Sequence, residues 1–69
     1  MTSQMITWKE AFLTSSYKNK DEGYENGFRN GWLDYATGHN SLISLFSIIP
    51  NYSSGYMDGR QARCREEIM

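Results

Sequence analysis

Asp21-Glu22-Gly23-Tyr24-Glu25-Asn26-Gly27-Phe28-Arg29-Asn30-Gly31-Trp32-Leu33-Asp34-Tyr35 is the stretch on which the reading of this chain turns. Glycine recurs at every fourth position, Gly23, Gly27 and Gly31, with rings beside it at Tyr24, Phe28, Trp32 and Tyr35. Residues four apart share one face of an α-helix, so the spacing predicts a helix with a nearly bare face bordered by rings. A glycine inside a helix costs about 1 kcal/mol relative to alanine. Three of them make sense only where a neighbour packs against the bare face and offsets that cost.

The flanks of the stretch supply boundaries. Asn19-Lys20-Asp21-Glu22 has the form of a capping box, with Asn19 at the cap and Glu22 three residues on. Gly38 provides a left-handed stop, followed by His39 and Asn40 in the turn. A helix over 20–37 follows, with Glu25 and Arg29 placed as an i,i+4 ion pair.

Upstream, Thr7-Trp8-Lys9-Glu10 is a second capping box, and it opens a helix expected over 7–18 with Trp8 and Phe12 as its anchors. Residues 1–6 are expected to be a frayed lead-in. Downstream, 41–49 is an apolar connector from Ser41 to Ile49, whose composition suits a short buried helix or a short strand. With no second strand candidate to pair with, the helix is favoured. Pro50 marks the exit. A last helix is expected over 52–66, capped by Asn51 or Ser53.

That last helix carries Gly55-Tyr56-Met57-Asp58-Gly59, which repeats the form of Gly23-Tyr24-Glu25-Asn26-Gly27 at an offset of thirty-two residues. Two helices with small residues at every fourth position can bring their backbones unusually close, as in small-xxx-small contacts. The expected fold is therefore all-α and a single small domain. Its N-terminal helix packs on an antiparallel helical hairpin mediated by Gly23, Gly27, Gly31, Gly55 and Gly59.

At this point the chain resembles the ribosome modulation factor family, short bacterial proteins of two helices and a connector. Gly23, Tyr24, Gly27 and Gly31 match that family's Gly-Tyr-x-x-Gly-x-x-x-Gly pattern, and Tyr52, Gly55 and Tyr56 match the opening of its second helix. The resemblance spans roughly residues 21–65. It implies a helical hairpin and an association with ribosomal RNA. The family is strongly basic, however, whereas this chain has a net charge of -1, and its Cys-Pro-Tyr connector motif is replaced by Pro50-Asn51-Tyr52.

Composition narrows the function classes. Seven Lys and Arg oppose eight Asp and Glu, a balance that gives no long-range pull toward nucleic acid or anionic lipid. A single cysteine, Cys64, rules out an internal disulfide and a cysteine-built zinc site. The longest apolar run is too short to span a bilayer, and the N-terminus lacks a signal-peptide pattern, so a cytoplasmic location is expected. His39 has no metal-spaced companions, and Cys64, among Arg60, Arg63 and Arg65, has no candidate base. The carboxylates of Asp34, Asp58, Glu66 and Glu67 are not paired for acid–base work. The expectation is a non-enzymatic protein with no cofactor, no metal site and no small-molecule substrate.

Two Trp, five Tyr and three Phe in 69 residues remain to be placed. They suit either a ring-rich core or an aromatic contact surface. The leading expectation is a regulator or inhibitor of a protein partner, by analogy with the small phage-type proteins that occupy a host protein. Trp32, Tyr35, Tyr52, Tyr56, Arg60 and Arg63 are the candidate contact residues. An RNA- or ribosome-binding role for the same arginine–aromatic set is the alternative, since such sets stack on unpaired bases. Homodimerisation would bury the same groups.

Overall fold

The computed structural model of the protein describes residues 6–38 and 49–68. They form three helices: α1 (Trp8–Thr14), α2 (Glu22–Thr37) and α3 (Tyr52–Ile68). The all-α expectation holds for these residues. Residues 41–48 of the connector expected over 41–49, residues 1–5 of the lead-in expected over 1–6, and His39, Asn40 and Met69 lie outside them.

α1 opens as its sequence requires. Thr7 Oγ1 accepts the Glu10 amide at 3.2 Å, and the Thr7 amide donates to Glu10 Oε1 at 3.1 Å. The helix ends at Thr14, four residues short of the expected boundary. The Thr14 hydroxyl turns back to the carbonyls of Glu10 and Ala11, and Ser15 is already extended. Short hydroxyl side chains that compete for backbone groups account for the early stop. Lys20 Nζ then takes the Leu13 carbonyl at 3.0 Å.

α2 is capped by Asp21 rather than Asn19, since Asp21 Oδ1 accepts the Tyr24 amide at 2.9 Å. The Asn19 carbonyl instead accepts the Asp21 amide at 2.7 Å, closing a tight turn just before the cap. Donation from the Tyr24 amide, and then from the Asn51 side chain, holds the Asp21 carboxyl below its ordinary range. Gly38 stops the helix at φ 78 and donates its amide to the carbonyls of Asp34 and Tyr35. The expected Glu25–Arg29 pair is replaced by contacts to α1: Lys9 Nζ donates to Glu25 Oε2 at 3.2 Å, and the Arg29 guanidinium lies 5.9 Å from the Trp8 ring centroid.

α3 starts at Tyr52, with Asn51 just outside it at φ 66, a left-handed backbone that Asn tolerates better than most residues. The Asn51 carbonyl accepts the Gly55 amide at 3.0 Å. Its side chain does not cap its own helix. Oδ1 accepts the Tyr17 hydroxyl at 3.1 Å, and Nδ2 donates to Asp21 Oδ2 at 2.8 Å.

The expected antiparallel hairpin is overturned by the pairing of residues across the α2–α3 contact. Gly23 faces Pro50, Gly27 faces Tyr52 and Tyr56, and Gly31 faces Tyr56 and Arg60. The numbers rise together, so α2 and α3 run parallel. A spacing of small residues fixes which faces meet and leaves the direction open. Here the N-terminal ends lie side by side, with Asp21 bonded to Asn51. The end of α2 and the start of α3 therefore lie at opposite ends of the pair, about 24 Å apart for a helix of this length.

All five expected packing glycines sit in the seam. A Cβ at Gly27 would strike the Tyr52 carbonyl oxygen and come within 2.9 Å of the Tyr56 amide. One at Gly55 would strike the Tyr24 carbonyl oxygen and come within 2.9 Å of the Phe28 amide. Gly31 meets the Tyr56 carbonyl and Gly59 meets the Phe28 carbonyl in the same manner. Each glycine Hα thus points at a carbonyl oxygen of the facing helix, a geometry suited to weak Cα–H···O bonds of about 0.5–1 kcal/mol each.

The contacts are reciprocal, and so are the hydrogen bonds beside them. Tyr24 donates to Asp58 Oδ2 at 2.8 Å, and Asn30 Nδ2 donates to the Tyr52 hydroxyl at 2.6 Å. The structure therefore matches Tyr24 with Tyr52, Gly27 with Gly55, Phe28 with Tyr56, Asn30 with Asp58 and Gly31 with Gly59. The spatial register is twenty-eight residues (Tyr24 to Tyr52), one helical turn shorter than the offset suggested by the sequence motif.

α1 lies across the ring side of this pair. Phe12, 7% exposed, sets its ring 5.9 Å from both Tyr24 and Phe28, with Ala11, Trp32 and Ala62 completing the cluster. Tyr17 stacks on Tyr24 at 4.4 Å and 2°. Among the described residues, no helix is long and apolar enough to cross a membrane.

Candidate functional site

The structure divides the six expected contact residues into two groups. Trp32, Tyr52 and Tyr56 are 3%, 4% and 2% exposed, so their rings belong to the core and are not offered to a partner. The cause is positional. Trp32 and Tyr56 each follow an interface glycine and Tyr52 lies one turn before Gly55, so all three rings close over the seam, and a buried polar tip then needs a partner inside the protein. The Tyr56 hydroxyl donates to Asp34 Oδ2 at 2.6 Å, the Tyr52 hydroxyl accepts from Asn30, and Trp32 carries the Arg63 guanidinium over its ring at 5.4 Å. Burial, followed by the bond to Asp34, holds the Tyr56 phenol above its ordinary range.

Tyr35, Arg60 and Arg63 remain half-buried at the outer edge of the seam. The Arg60 guanidinium lies 5.7 Å from the Tyr35 centroid and 5.8 Å from that of Tyr56. Arg63 Nε donates to Glu67 Oε2 at 2.9 Å. Next to them Met57 is 54% exposed, and Tyr35, Met57, Arg60, Gln61 and Cys64 together line a shallow, largely apolar hollow of about 240 Å³. A hydrogen bond with the Cys64 thiol is the main cause that raises the Tyr35 phenol above its ordinary range. Met57 also reads from sequence as an adaptable contact, whereas Gln61 and Cys64 were absent from the expected set, although helical spacing places Met57, Arg60, Gln61 and Cys64 on one face of α3.

A second feature lies between α1 and α3, where a groove of about 370 Å³ runs past Ala11, Thr14 and Ser15 on one wall and Asp58, Ala62 and Arg65 on the other. At its inner end the Tyr24 hydroxyl sits between Ser15 Oγ at 2.7 Å and Asp58 Oδ2 at 2.8 Å. Burial is the main cause that pushes the Tyr24 phenol up to about 12, with the Asp58 carboxylate adding to it. A phenol so held keeps its proton at neutral pH and does not activate Ser15 as a base would. The chain Ser15–Tyr24–Asp58 instead fastens all three segments at one point. From sequence, Ser15 reads only as a weak helix residue, and nothing in the spacing joins it to Asp58.

No protein-family model matches this chain, and no characterised protein or solved structure matches it, so the two features stand on their own geometry.

Proposed function

We propose that the chain is a non-enzymatic binding protein that regulates or inhibits a protein partner, which it contacts through the face of Tyr35, Met57, Arg60 and Cys64. The observation that carries this reading is the exposure of Met57 beside a ring–guanidinium pair, over a largely apolar hollow. Tyr, Met and Arg are the residues by which protein interfaces differ most from ordinary surface, and Met adapts its shape to a partner. The near-neutral charge is consistent with a partner held by shape and apolar contact rather than by field.

Ribosome or RNA association, the property of the resembled ribosome modulation factor family, is the second reading. Its specific support is the arginine placed over a ring at both Tyr35 and Trp32, since guanidinium planes and rings are surfaces on which unpaired bases stack. Capture from a cell lysate, with and without nuclease, separates the two. A discrete protein retained after nuclease, and lost with Met57→Asp, supports the protein reading. Recovery of ribosomal RNA with steep salt dependence replaces it with the RNA reading.

A further inference from the structure

We draw no further inference here: the strongest candidate, the shallow apolar hollow of Tyr35, Met57, Arg60, Gln61 and Cys64 at the outer edge of the α2–α3 seam, belongs to the face already described, and nothing in the structure shows what covers it.

Discussion

The α2–α3 seam and the seat of α1 are both helix contacts, yet they are built on opposite terms. At the seam, backbone meets backbone: the carbonyls of Tyr52, Tyr56, Tyr24 and Phe28 occupy the positions that side chains would take at Gly27, Gly31, Gly55 and Gly59. At the seat, ring meets ring, with Phe12 about 6 Å from its neighbours and a groove of about 370 Å³ left beside it. A contact made of backbone has no side chain to rotate out of the way, so it accepts one geometry. A contact made of rings can re-pack. The first is suited to holding one shape and the second to tolerating changes of side chain.

The contrast is broken most directly by adding atoms to the seam. Gly27→Leu is expected to abolish cooperative folding. Gly27→Ala is expected to destabilise by about 2–3 kcal/mol even though alanine is the better helix former, because its methyl meets the Tyr52 carbonyl and not a movable side chain. Urea unfolding measures both, and a Gly27→Ala protein as stable as the parent would refute the close seam.

Next in size is the hydroxyl shared between the two contacts. Tyr24→Phe leaves Ser15 and Asp58 without that partner and is expected to cost about 1–2 kcal/mol. Its pH signature is specific. The Tyr24 phenol is raised to about 12 in the folded state from an ordinary value of 10.0, so the stability it contributes is complete below pH 10. That contribution falls as the pH rises from 10 toward 12. Thermal melts across that window should show a loss in the parent that is smaller in Tyr24→Phe.

A smaller effect is expected at the cap. Asp21→Ala removes the acceptor of the Tyr24 amide and the link to Asn51, and is expected to lower the melting temperature by less than Tyr24→Phe does. The Asp21 carboxyl lies below its ordinary range, so its contribution is present above pH 3.8 and is lost as acid protonates it in the folded state. Acid titration of Asp21→Asn against the parent reads this difference. The smallest effect is at Lys9–Glu25, an exposed pair at the rim of the seat, where Glu25→Gln should change stability by less than about 0.5 kcal/mol.

Much of the seam was legible before any coordinates. A glycine at every fourth position marked both faces, and Thr7 and Gly38 marked ends that the structure confirms. Direction was hidden, because a row of small residues looks the same read either way. It emerges only from which backbones meet across the seam: Gly23 with Pro50, Gly27 with Tyr52 and Gly31 with Tyr56. The contact residues were less legible for a related reason. Trp32, Tyr52 and Tyr56 resemble a docking surface in sequence, and their places beside or one turn from the seam glycines draw them inward once the helices close. The groove beside α1 has no sequence signal, since it arises from the early stop at Thr14 and the resulting course of Ser15.

The parallel run of α2 and α3 also sets an order of assembly. Ser15 and Tyr24 are 9 residues apart and Lys9 and Glu25 are 16 apart, so α1 and α2 can meet early and at little entropic cost. The link from Tyr24 to Asp58 spans 34 residues, and no seam contact is gained until that longer loop has closed. α3 is then the last element to dock. The chain commits to its fold only when Asn51 has come back beside Asp21, and a seam substitution should appear first as slower folding rather than faster unfolding.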